Sequence, residues 1–278
     1  MSDFLADMLA SSEARSARNA RRRPIAELER IIAARTAAPT LALDATFSLI
    51  AEIKGRSPAE GQLAQRASLD RPRQAQAYAA GGAAAVSVLT EPARFDGALD
   101  HLETVAEALQ AGSVPAMRKD FLCSEYQLYE AAAHGAGGVL LITAMLDDAT
   151  LRAMLDRAAA LNLFVLLECF DIDDVKRSCA LLELASVQSL RDRAAFMLGV
   201  NTRNLRTLAV DTDRLAALAA HLPTREVVCI AESGLTEPDD AARALDMGYR
   251  GALIGTALMR SASPEAAVRA FVQRGRGA

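Results

Sequence analysis

The chain has 278 residues, a formal net charge of −4, 51% apolar residues and 24% charged ones. That length suits one large domain or two small ones with a sizeable core; with no Trp and only 4% aromatic residues, the core must be aliphatic and alanine-rich. The mild acidity argues against bulk binding to nucleic acid or anionic membrane, which needs a net basic surface, but leaves room for a local anion site.

The N-terminus does not read as a signal peptide: Asp3 and Asp7 interrupt its apolar run and no basic start precedes them. No stretch approaches the roughly 18 charge-free apolar residues of a membrane helix, so a cytoplasmic protein is expected. Residues 1–45 read as a helical extension. Phe4, Leu5, Met8 and Leu9 share one face, and Pro24 opens a second helix with Ile25, Leu28 and Ile32 at helical spacing. The arginines at 15, 18, 21, 22 and 23 resemble a polyanion site. Acids at 3, 7, 13, 27, 29 and 44 nearly balance them, so a solvated helical face is the preferred reading.

Beyond this extension, short apolar runs alternate with alanine-rich helical stretches. The runs are Ser48–Ile53, Ala84–Leu89, Val114–Met117, Gly138–Thr143, Leu163–Cys169, Ala195–Val200, Val227–Ala231 and Gly251–Ile254. Most are continuous rather than alternating, as expected of strands covered on both faces. Segments such as Asp70–Ala80, Glu125–His134, Ala149–Ala160 and Glu237–Met247 carry helical periodicity, and Gly81–Gly82 ends a helix before the second strand. Eight such alternations predict an α/β fold, a (β/α)8 barrel forming a single domain over 1–278; a doubly wound open sheet is the alternative. The four cysteines and three histidines are scattered, without zinc-type spacing, so no metal is expected and the thiols are read as reduced core fillers.

In a barrel the C-terminal ends of the strands build the active face. The first strand ends at Glu52 and Lys54, two apart and so on one face, followed by Ser57. A structural ion pair there would gain little, because desolvation tends to cancel the Coulomb attraction. The third ends at Lys119-Asp120-Phe121; an inward Lys119 beside Lys54 would make a strongly cationic pocket, whereas an exposed loop lysine is the bland alternative. Glu168 ends the apolar fifth run, as a general base would. Asn201 and Arg203 follow the sixth; Arg offers a fork for a carboxylate, and Asn both donor and acceptor. Ser233-Gly234 and Gly255-Thr256 follow the seventh and eighth, where backbone N–H groups and a hydroxyl can hold a phosphate, with Ser57 able to close the cradle.

These pieces, Ala-Glu-Ile-Lys-Gly-Arg-Ser-Pro at 51–58, Ser-Val-Leu-Thr-Glu at 87–91, Arg-Lys-Asp-Phe at 118–121, Leu-Glu at 167–168, Gly-Val-Asn-Thr-Arg-Asn-Leu at 199–205, Ala-Glu-Ser-Gly at 231–234 and Leu-Ile-Gly-Thr-Ala-Leu-Met at 253–259, resemble the indole-3-glycerol phosphate synthase family in order over nearly the whole chain. The resemblance implies a lyase of tryptophan biosynthesis that closes the ring of 1-(2-carboxyphenylamino)-1-deoxyribulose 5-phosphate, losing CO₂ and water, without cofactor or metal. It implies Lys119 as general acid. Glu168 and Glu52 would stabilise the cationic intermediate and handle protons. Lys54 would bind the substrate carboxylate and share in proton transfer, with Asn201 and Arg203 holding hydroxyl and carboxylate groups. Ser233 would lie beside the sugar, and Ser57, Gly234, Gly255 and Thr256 would bind phosphate. Phe95 and Phe121 would pack on the aryl ring, or serve only the core. Association with other enzymes of tryptophan synthesis is also admitted.

Three departures stand out: Phe170, Thr202 and Asn204 replace residues usual in the family. The 33 residues from Glu168 to Asn201 exceed the expected connection by about three helical turns. The surplus around 178–194 is expected to lengthen a helix away from the chemistry, because Leu181, Leu182, Leu184 and Val187 look like helix-face residues; a loop over the pocket is the alternative. The rivals are a paralogue acting on a modified anthranilate-derived substrate, a non-catalytic phosphometabolite-binding barrel, and a phosphate-binding isomerase barrel. The last would want Cys and Asp where Glu52/Lys54 and Ser233 stand.

Overall fold

A computed structural model of the chain describes residues 4–57, 61–62, 69–203, 209–211 and 213–277. The eight apolar runs are too short for helices and are bounded by turn residues, and all eight form strands: β1 (Ser48–Ile53), β2 (Ala85–Leu89), β3 (Ala116–Lys119), β4 (Gly138–Ile142), β5 (Phe164–Cys169), β6 (Phe196–Asn201), β7 (Val228–Glu232) and β8 (Gly251–Ile254). They pair in parallel in chain order, and β1 closes on β8 with Ser48 opposite Gly251, giving the expected closed (β/α)8 barrel rather than an open sheet. Nearly every strand residue is buried, which accounts for the continuous apolar patterning.

Three strands sit further along the chain than their apolar runs. β3 begins after Pro115, which lacks an N–H for the ladder, and runs on through Arg118 and Lys119. β6 extends to Asn201 and β7 to Glu232. Charged and amide groups thus occupy the last rungs of the strands, where backbone pairing fixes them, instead of the loops beyond. Asn201 lies opposite Glu232 in register, and Glu168 opposite Gly199.

The helices are α1 (Phe4–Arg22), α2 (Ile25–Ala34), α3 (Arg71–Ala80), α4 (Pro92–Phe95), α5 (Leu99–Leu109), α6 (Glu125–Ala133), α7 (Asp148–Ala160), α8 (Ile172–Ala180), α9 (Ala185–Asp192), α10 (Arg214–Ala219), α11 (Pro238–Asp246), α12 (Thr256–Arg260) and α13 (Pro264–Gly275). A small hairpin joins Arg56–Ser57 to Gly61–Gln62. Gly81 caps α3 and Gly82 takes a φ of +98°, as a helix-ending glycine pair should. In the extension, Leu5 and Met8 are buried against the main core, and Leu28 packs wholly buried on Tyr126, Tyr129 and Ala133 of α6. Ile25 belongs to no buried face; it is 40% exposed in the first turn of α2.

The surplus between Glu168 and Asn201 is a separate helix, α9, rather than a longer α8. Leu181 and Leu182 turn the chain between the two, and Val187 and Leu190 are fully buried, with α9 packed on α7. No described helix is long and apolar enough to cross a membrane. All four cysteines are free thiols, Cys169 and Cys229 being buried.

Candidate functional site

A cavity of about 400 Å³ opens at the C-terminal ends of the strands. Its floor carries Glu52 and Lys54 from β1, Lys119 from β3, Glu168 from β5 and Asn201 from β6. Phe95 and Phe121 form part of the wall, and Arg203 stands at the rim beyond β6. Ser233, Gly234, Gly255 and Thr256 lie along the opposite side, after β7 and β8. Every residue anticipated for the site therefore meets in one cavity, apart from Ser57. The expectation for the Ser57 hydroxyl falls outside the described residues, as does Asn204.

The floor is a lattice of alternating charges. Lys54 Nζ lies 3.1 Å from Glu52 Oε1. Lys119 Nζ lies 3.2 Å from Glu168 Oε2 and 3.5 Å from Glu232 Oε2. Asn201 Nδ2 donates to Glu168 Oε2 at 3.1 Å, while its Oδ1 accepts from the Arg203 backbone N–H at 2.9 Å, which orients the amide. The strongly cationic pocket expected from two inward lysines is not found: three carboxylates interleave with them. Burial works against the Lys119 ammonium, but Glu168, Glu232 and Glu52 outweigh it and raise its pKa, so the resting lysine is protonated. The Glu232 carboxyl is raised as well. Burial and then the Glu168 carboxylate push it well above the ordinary range against the pull of Lys119, and neither of its oxygens has a hydrogen-bond partner among the described residues.

Two glycines make room for this lattice. A Cβ on Gly199 would run into Glu232 Oε1, and one on Gly255 would run into Glu52 Oε1 and come within 3.1 Å of Lys54 Nζ. Gly255 thus brings backbone directly against the Glu52–Lys54 pair, and Lys54 stands at the seam between floor and cradle. Ser233 and Gly234, which both line the cavity, are consecutive left-handed residues (φ 62° and 76°).

The aromatic wall is continuous with the extension. Phe121 meets Phe95 at 6.1 Å between ring centroids and Phe4 of α1 at 6.0 Å, edge to face. Asp120, between Lys119 and Phe121, is fully buried. It accepts from both terminal nitrogens of Arg15 (3.1 and 2.8 Å), from Thr90 Oγ1 (2.8 Å), from Arg118 Nη2 (3.2 Å) and from the Phe121 N–H (2.8 Å). Burial would raise its pKa, but Arg118 and Arg15 overcome that and hold it below the usual carboxylate range. The reading of the N-terminal arginines as a solvated face is therefore corrected at Arg15. Its guanidinium crosses into the barrel because its carboxylate partner is buried and needs a counter-charge.

Sequence reasoning missed Glu232. The signal was present: like Glu168, it ends an apolar strand, and Gly199 on the neighbouring strand leaves the space it fills. It also missed Arg260, a cation at the last position of α12 that lines the cavity. Asp100, Glu103 and His134 approach within 4.8 Å of one another on α5 and after α6, but Arg35 Nη1 already pairs with Glu103 at 2.7 Å, and none of the three lines this cavity.

A family model described as indole-3-glycerol phosphate synthase matches residues 8–271. The chain is 46% identical over 223 residues to the indole-3-glycerol phosphate synthase of a Nocardioides species, covering 80% of this chain and 78% of that one. It is 41% identical over 255 residues to that of Mycobacterium leprae (89% and 87%) and 38% identical over 263 residues to that of Rhodococcus opacus (92% and 91%). Among solved structures it resembles thiamine phosphate pyrophosphorylase from Pyrococcus furiosus (TM-score 0.55, 14% identity, 84% and 96% covered). It also resembles phosphoribosyl anthranilate isomerase from Thermotoga maritima (TM-score 0.53, 13% identity, 83% and 100% covered); at these identities the likeness is one of fold.

Proposed function

The chain belongs to the indole-3-glycerol phosphate synthase family and is a lyase of tryptophan biosynthesis, and we propose that the cavity residues divide the ring closure as follows. The substrate, 1-(2-carboxyphenylamino)-1-deoxyribulose 5-phosphate, lies with its phosphate toward Gly234, Gly255 and Thr256, and its aryl ring against Phe95 and Phe121. Lys54, at the seam, and Arg203, at the rim, hold the carboxylate, and Ser233 lies beside the sugar.

The aryl carbon bearing the carboxylate attacks the ketone carbon. The Lys119 ammonium hydrogen-bonds the carbonyl oxygen and gives up its proton as that oxygen becomes an alkoxide, a far stronger base than the ketone. A raised lysine pKa suits this role, because the group is always charged at rest and transfers its proton only when negative charge develops. The new C–C bond leaves a cationic ring, which the Glu52 and Glu168 carboxylates stabilise. Loss of CO₂ returns the bonding electrons to that ring. Dehydration then breaks the C–OH bond, with a proton delivered to the departing hydroxyl and one removed from the adjacent carbon. Glu168, tied to both Lys119 and Asn201, is placed to remove a proton. Glu232, 3.5 Å from Lys119 Nζ and with its pKa raised by burial, is placed to take up a proton and reload Lys119.

The observation that carries this division is the position of Lys119 Nζ between Glu168 and Glu232 at the cavity floor. Lys119→Ala is expected to cut kcat by at least about 10²-fold, the usual loss for a general acid, with KM changed far less. Indole fluorescence appearing from the substrate reports the rate, and wild-type turnover in this variant overturns the assignment. Phe170 and the buried Thr202 leave every group of this set in place, so neither argues for a modified substrate.

A further inference from the structure

We propose that Arg260 is an additional phosphate ligand of this site, an exposed guanidinium that captures the substrate's phosphate at the cavity mouth and covers it once seated. The inference rests on the phosphate end lying at Gly234, Gly255 and Thr256.

Arg260 is exposed and makes no hydrogen bond or ion pair with the described residues. Four arginines in the same part of the chain behave differently. Arg243 pairs with Glu237 and Asp240, Arg269 with Glu265, Arg274 with Asp239 and Arg276 with Asp44. Arg225 and Arg250 are likewise exposed without an acid among the described residues; what sets Arg260 apart is that it also lines the cavity.

Helix geometry explains how a residue at the far end of α12 reaches the cradle. Arg260 lies four positions after Thr256, so the two share a helix face. Side chains on a helix lean toward its N-terminus, so the long arginine stem folds back over Thr256 and the Gly255 turn. The acids nearest the cradle are already engaged: Glu52 holds Lys54, and Glu168 and Glu232 flank Lys119 deeper in the floor. An incoming phosphate dianion therefore meets a guanidinium that has no ion pair to break, with a planar fork suited to two phosphate oxygens. The backbone cradle fixes the phosphate's position; Arg260 supplies charge from the solvent side, which backbone N–H groups do not.

The test is Arg260→Gln, with Arg269→Gln as a control that removes the same charge from α13. At low ionic strength Arg260→Gln is expected to raise KM roughly 3- to 10-fold with kcat within two-fold, the gap shrinking as salt is added because the group is exposed. Inorganic phosphate should compete less well against the variant by a similar factor, and Arg269→Gln should match wild type. Equal KM and equal phosphate inhibition in wild type and Arg260→Gln overturn the role of Arg260. The reading beneath it fails separately: if the wild-type enzyme handles phosphorylated and dephosphorylated substrate alike, the cradle itself is misplaced.

Discussion

Two segments are added to the eight strand–helix units, α1 ahead of the barrel and α9 inside the long connection, and they attach to opposite ends of it. Both are amphipathic helices that bury apolar residues, Leu5 and Met8 in one, Val187 and Leu190 in the other. Their polar contacts differ. α1 sends Arg15 to Asp120, Ser16 to Ser124, Ser12 to Gln127 and Asn19 to Glu130, all in or after the strand that ends with Lys119. Arg191 beside α9's end reaches the Glu226 carbonyl, and Arg193 reaches Asn162 Oδ1; those partners precede β7 and β5, at the barrel face away from the cavity. A burial pattern shows that a helix is attached. Only its polar partners show whether it is attached to the chemistry.

The strongest way to break this contrast is Asp120→Ala. It leaves Arg15 and Arg118 buried without their shared acceptor, and breaking a buried pair on one side costs about 3–5 kcal/mol. It also frees the backbone between Lys119 and Phe121, so kcat is expected to fall together with stability. Urea unfolding and turnover on the same preparation check both, and undiminished kcat would disconnect α1 from the site. On the other side, Leu190→Ala removes a wholly buried side chain from α9 and should cost about 2–5 kcal/mol. Yet kcat/KM measured well below the melting temperature should stay within two-fold. A large KM change there would make the inserted helix a specificity element after all.

The barrel was legible in the sequence because each strand is an apolar run bracketed by turns, and periodicity survives shifts of one or two residues. Most of the site was legible for a related reason: a charge at the end of an otherwise apolar strand has no solubility explanation. Glu232 escaped because it lies one residue past the apolar run Val227–Ala231, and only the pairing of Asn201 with Glu232 places it on the last rung. Arg15 escaped because charge counting along one helix cannot detect a partner 105 positions away. α9 was seen as apolar surplus, but a break at Leu181–Leu184 and a lengthened α8 give the same local pattern. The N-terminal face that decides between them is assembled only by the fold.

A smaller and sharper test lies where the inserted connection begins. Asp174, in the first turn of α8, is buried and accepts from the Phe170 N–H at 3.0 Å, just after Glu168 and Cys169. Burial pushes its carboxyl up to about 6, helped by Asp171 and Glu168 and opposed by that hydrogen bond and Arg177. An unfolded aspartate titrates near ~3.9. Between these values the folded state holds a proton that the unfolded state has lost. Stability from this group is therefore fully present below about pH 4 and falls as pH rises toward 6, beyond which it is flat. Asp174→Asn keeps an oxygen for the Phe170 N–H and removes the titration. The variant's melting temperature relative to wild type should climb between pH 4 and pH 6 and then level off, while turnover at pH 7 stays within two-fold. The subtraction cancels every group common to both proteins, Glu232 included, so a difference that does not vary with pH means that Asp174 titrates in the fold as it does in the unfolded chain, and overturns the raised carboxyl.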